Sequence, residues 1–86
     1  MSDLIQKARD FVLGRQYAYK QTFKGPHADE VLKDLARFCR ANVTTFHEDA
    51  RAHAVAEGRR EVWLRLQNNL SLSPAEVWRL ASGRED

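Results

Sequence analysis

The chain has one cysteine, two prolines and four glycines in 86 residues, and each scarcity removes a class of explanation. A single thiol, Cys39, cannot staple a fold, and its place on an apolar helical stripe predicts a buried, reduced side chain. No apolar run approaches the length that crosses a bilayer, and no charged-then-apolar leader stands at the N-terminus. The expectation is a protein that stays in the cytoplasm where it is made. Without export, the glycosylation patterns at Asn42 and Asn69 carry no meaning.

Chemistry-bearing constellations are equally scarce. His27, Cys39, His47 and His53 are the available soft or imidazole ligands, and none stands at a zinc spacing. A nucleophile needs a base in reach and an orienting group behind the base, and no such set, phosphate loop or serine elbow is present. The sequence therefore predicts no enzyme, no metal and no cofactor.

What remains is ordinary soluble-protein composition, 43% hydrophobic and 30% charged, enough for one small domain. Fourteen basic against twelve acidic residues give a formal charge of +2 and a pI near 9.0, too mild to imply nucleic acid by itself.

Helical periodicity organises the chain. In 2–23, Leu4, Ile5, Ala8, Phe11, Val12, Tyr19 and Phe23 share one face, with Ser2 as N-cap, Lys24-Gly25-Pro26 as stop, and Gly14 marking a bend or close helix contact. A second helix follows Pro26 and runs to about Arg40, with Val31, Leu32, Leu35, Phe38 and Cys39 facing the core. Residues 42–49 form a loop, with Phe46 as a core plug, His47 capping or packing, and Asp49 as a cap. A third helix spans 50–70, its inner stripe being Val55, Gly58, Val62, Trp63, Leu66 and Leu70. Ser73-Pro74-Ala75-Glu76 announces a short fourth. The expectation is an all-α single domain over 1–81, a bundle of three main helices plus a short C-terminal fourth, with a loose tail at 82–86.

Apolar and basic side chains off the core stripes are the candidate contact residues. Leu13 and Tyr17 lie opposite the main stripe of the first helix, near Lys20, and Leu64 points away from Val62 and Leu66. Arg59 and Arg60 flank them on the third helix, interleaved with Glu57 and Glu61, which repel a phosphate backbone. Leu13, Tyr17, Lys20, Arg59, Arg60 and Leu64 are therefore assigned to a protein partner, with nucleic acid the less favoured ligand.

Three blocks, Val31-Leu32-Lys33-Asp34-Leu35-Ala36-Arg37-Phe38-Cys39, Thr44-Thr45-Phe46-His47 and Glu57-Gly58-Arg59-Arg60-Glu61-Val62-Trp63-Leu64-Arg65, follow one another in a fixed order. In them the chain resembles a family of small proteins of tailed bacteriophages and prophages, typified by a short reading frame of a Bordetella podophage. The resemblance covers about 15–80. It implies a phage protein encoded among virion assembly genes, and carries no catalytic residue. The expected function is a non-enzymatic virion component, present in many copies, that touches other phage structural proteins near the portal, internal core or capsid. The alternative is a nucleic-acid-binding or host-acting regulator of the infected cell.

Overall fold

Helix punctuation in the sequence places three of the four helix starts. The computed structural model describes residues 2–82 and contains α1 (Ser2–Thr22), α2 (Ala28–Phe38), α3 (Ala50–Leu70) and α4 (Pro74–Ala81), with no strand among the described residues. The Asp49 carboxylate accepts from the Arg51 and Ala52 amides and starts α3. Ser73 and Glu76 close a full capping box around Pro74 at the head of α4. Gly25, at a φ of 102°, makes the turn between α1 and α2. Ser2 is already the first helical residue, so it does not act as the cap expected of it.

Two helix ends carry no glycine and still stop sharply. Arg40 and Ser71 both take the left-handed conformation at φ 56°. After α2, the Arg40 amide donates to the Arg37 carbonyl and the Ala41 amide to the Ala36 carbonyl, which is a Schellman closure. After α3, the Ser71 and Leu72 amides repeat it on the Asn68 and Gln67 carbonyls, and Leu72 packs against the core.

The core is small and built mainly by three helices. Leu32, Ala36 and Cys39 from α2 and its end meet Trp63 and Leu66 of α3 and Val77 and Leu80 of α4. Trp63 and Ala36 have no accessible surface. Burial pushes the Cys39 thiol above its usual pKa against the opposing pull of the Arg59 charge, so this cysteine is an inert apolar filler.

α2 packs chiefly on α4, and α1 packs on α3. Arg15 Nε donates to Asn69 Oδ1 at 3.3 Å, and the Asn69 amide nitrogen donates to the Arg65 carbonyl at 2.9 Å, so this buried asparagine is satisfied. Tyr19 and Phe23 complete the core from the side.

Several expected core positions lie outside it. No residue of α1 is buried, and Leu4, Ile5, Phe11 and Val12 are exposed. α1 reaches the core only through its second half, and with α2 and α4 packed on each other no wall remains for the first. On α3 the stripe is turned by one position. Ala52, Ala56, Trp63, Leu66 and Leu70 face inward, leaving Val55 and Val62 exposed, because the 40–47 loop lies over the small side chains at the start of the helix. Val31 and Phe38 flank the inner line of α2 and are exposed too. A Cβ on Gly14 or Gly58 would meet nothing within 4 Å, so neither glycine serves a close helix contact. Ser82 closes α4, its amide donating to the Trp78 carbonyl at 2.9 Å, while the remainder of the expected tail, 83–86, lies outside the described residues.

A surface pair ties α2 to α4. The Arg79 guanidinium grips Asp29 at 2.9 and 3.2 Å, and Lys33 stands 3.5 Å from the same carboxylate. The Arg79 hydrogen bonds hold the Asp29 pKa below its ordinary value, and the Ser73 amide does the same for Glu76. A carboxylate whose pKa is lowered by folding contributes stability above its unfolded value, here the ordinary range near 3.8, and loses it as pH falls through the lowered folded value. Asp29→Asn should therefore lower the thermal midpoint by a constant amount at neutral pH. That gap should shrink to nothing on acidification below the carboxylate range, and a pH-independent gap would rule out the ion pair as its cause.

Candidate partner-binding surface

The loop between α2 and α3 is held by side chains of α3, two of which, Glu57 and Arg60, belong to one sequence block. Arg60 Nε donates to the Arg40 carbonyl at 2.9 Å, and its terminal nitrogen donates to the Arg40 and Val43 carbonyls. Thr45 Oγ1 donates to the Glu57 carboxylate. His53 Nδ1 stands 3.1 Å from the Thr45 carbonyl oxygen. Arg40 Nε reaches the Thr44 carbonyl at 2.8 Å, pinning the strained Arg40 backbone from its own side chain as well.

The Thr-Thr-Phe-His and Glu-Gly-Arg-Arg blocks, about ten residues apart in sequence, are thus one junction in space. Thr45 is the buried member, at 8% exposure, and Phe46 is 67% exposed. This reverses the expectation that Phe46 plugs the core. Thr45 takes the inward position, its hydroxyl donating to Glu57, and Phe46 faces outward. Thr44 Oγ1 accepts from the Phe46 amide at 3.1 Å, and His47 Nδ1 accepts from the Asp49 amide at 3.0 Å, so both residues act as turn caps.

Fastening the loop creates a surface outside it. Arg40, Thr45, Phe46, His47, Ala52, Val55, Ala56 and Arg59 line a depression of about 350 Å³. The Phe46 ring tilts against His53 with centroids 5.9 Å apart. Beside them Arg59 lies over the Phe38 ring at 4.3 Å from its centroid. Phe38, Arg59, Val55 and Phe46 therefore form an exposed strip, three apolar side chains and one cation, on α2, α3 and the loop between them. Phe38, Val55 and Phe46 were expected to be core, so hydrophobic periodicity alone could not have found this strip. The proximity of the two blocks could have pointed to it.

The six sequence-assigned contact residues divide. Leu13, Tyr17 and Leu64 are exposed at 54, 66 and 43%, and Lys20 is exposed as well. Leu64 lies over a depression lined by α3 residues alone, so it does not share that groove with Leu13 and Tyr17. Arg59 belongs to the aromatic strip. Arg60 is committed to the backbone carbonyls of the loop and orders the strip from behind.

Among the described residues no three of histidine, cysteine, aspartate and glutamate stand together as a metal site, and no helix is long and apolar enough to cross a membrane. No curated protein and no solved structure matches the chain. The profile of the Bbp19-like phage protein family matches residues 19–82, which takes in the whole core cluster and the loop junction. The chain is a member of the Bbp19-like phage protein family.

Proposed function

We propose that this phage protein is a non-enzymatic component of the virus particle, a small helical subunit that binds other phage structural proteins near the portal, internal core or capsid. The observation that carries the reading is the imbalance between core and surface. Seven hydrophobic residues are buried, and fourteen large hydrophobics among the described residues are exposed. Single exposed apolar side chains are normal on a soluble protein, but a strip on a hydrogen-bonded junction has the composition of an interface centre.

The arginines favour protein over nucleic acid as the partner. Arg60 already donates to two carbonyls, and Arg59 is laid over an aromatic ring. Neither is presented as a bare phosphate ligand, and Glu57 and Glu61 line the same depression as Arg60. The host cytoplasm is the place of assembly in this reading, and the virion the destination.

Quantitative mass spectrometry of purified particles, before and after DNA release, tests it. Many copies per particle are expected. Loss on release would assign the chain to ejected contents, and retention to the fixed shell. Absence from particles despite abundance in infected cells would overturn the proposal and leave a regulatory role in the cell.

A further inference from the structure

Leu4, Ile5, Phe11 and Val12 are 71, 63, 68 and 38% exposed, and they share one face of α1 with Ala8. Farther along the same face, Tyr19 and Phe23 pack against the core. The stripe is a core face that extends beyond the core.

Two quantities leave room for a partner on it. The accessible surface is 6583 Å², against about 5,200 Å² for a compact monomer of this mass. The excess, roughly 1,400 Å², exceeds the ~800 Å² per partner that a standard interface removes. The radius of gyration tells the same story, 15.5 Å against about 12 Å for a compact domain of this length. In addition, a helical segment as short as 2–13, ahead of Gly14 and with no buried residue, is marginal in water.

We infer that α1 of one chain pairs antiparallel with α1 of a second copy, crossing at Ala8, and that this pairing holds the first half of the helix together. The spacing of the stripe is what commits it to a second copy. Leu4 and Ile5 stand four and three residues before Ala8, and Phe11 and Val12 stand three and four after it. A two-fold axis at Ala8 sets Leu4 against Val12 of the second copy and Ile5 against its Phe11, with the smallest side chain at the closest approach.

Charge agrees with that direction. Asp3 and Asp10 balance Lys7 and Arg9, so the paired stretch of each copy carries no net side-chain charge. A parallel pair would bring Arg15, Lys20 and Lys24 of both chains side by side, whereas the antiparallel pair carries them to opposite ends. The paired stretch precedes residue 19, where the family match begins. The inference therefore stands or falls independently of the virion proposal.

The test is the mass of the full chain by light scattering or sedimentation from about 1 to about 500 µM, with far-ultraviolet circular dichroism at each concentration. The mass should rise from one chain to two, and helicity should rise with it as residues 2–13 become ordered. The double variant Leu4→Ser, Phe11→Ser should remain a single chain throughout, with the unfolding midpoint of dilute protein unchanged. Leu13→Ser with Tyr17→Ser, on the opposite face, should leave dimerisation intact. With Cys39 buried and silent, Ala8→Cys should cross-link under mild oxidant and Leu4→Cys should not. A single-chain mass at every concentration, or a dimer indifferent to Leu4 and Phe11, would overturn the inference. Equal cross-linking of Leu4→Cys and Ala8→Cys would overturn the antiparallel pairing.

Discussion

Replacing Trp63 by alanine should lower the unfolding free energy by about 3–5 kcal/mol, the range for deleting a large aromatic side chain from a core. Trp63 has no accessible surface and sits among Leu32, Ala36, Leu66 and Leu80, contributed by three helices. Its indole nitrogen donates to Gln67 Oε1 at 2.8 Å, one turn along α3, so the ring is held as well as packed. A domain of this size has on the order of 4–13 kcal/mol in total, and the variant forfeits a large share of it. At about 4–8 °C per kcal/mol for a small domain, the thermal midpoint should fall by at least about 12 °C. Trp78→Ala provides the contrast, since that side chain is 63% exposed and should cost less than about 1 kcal/mol. Urea titration followed by circular dichroism compares the two. Equal losses would mean that the core is elsewhere.

The contrast between the tryptophans also marks how far the sequence can be read. Punctuation was legible wherever a side chain does the capping: Asp49 and Ser73-Pro74-Glu76 act locally, and local chemistry is written in adjacent residues. The starts of α3 and α4 follow from it. Burial was less legible, because periodicity identifies an apolar face without saying whether another element lies against it. α1 has a continuous stripe, yet only its second half meets the bundle. On α3, the loop rests over Ala52 and Ala56, and small residues give a hydrophobicity pattern too little weight to fix the stripe. The helix ends at Arg40 and Ser71 were silent because neither position has the glycine that usually signals a left-handed residue.

The candidate surface shows the same limit from the other side. Arg59 and Arg60 are identical in type and adjacent in sequence, and their roles are opposite. One faces outward over Phe38, and the other is used up in holding carbonyls of a loop whose contact to α3 is long-range. Only the resemblance between whole blocks pointed to their joint importance. Why Thr-Thr-Phe-His should accompany Glu-Gly-Arg-Arg becomes physical once Thr45 is seen donating to Glu57 and Arg60 to Val43.

Arg60→Ala should detach the loop and lower stability by about 1.5–3 kcal/mol, the range for hydrogen bonds made by a charged group. The lower end is expected because the guanidinium is partly open to water. Its loss leaves the Arg40 and Val43 carbonyls without their donor and releases a left-handed arginine from one of its restraints. Arg60→Lys should recover only part of the loss, since an ammonium keeps the charge but lacks the planar fork that spans two carbonyls. Hydrogen exchange separates local from global effects. Amides of 40–47 should exchange faster in Arg60→Ala, while the near-ultraviolet signal of buried Trp63 persists. Arg59→Ala should leave both the loop exchange and the Trp63 signal unchanged. Its stacking on Phe38 is worth about 0.5–1 kcal/mol at an exposed site, so stability should scarcely change, while incorporation into particles should fall. If Arg59→Ala loosens the loop and Arg60→Ala does not, Arg60 does not hold the junction. If both leave incorporation unchanged, the aromatic strip is no contact surface, and Leu13, Tyr17 and Leu64 are the remaining candidates.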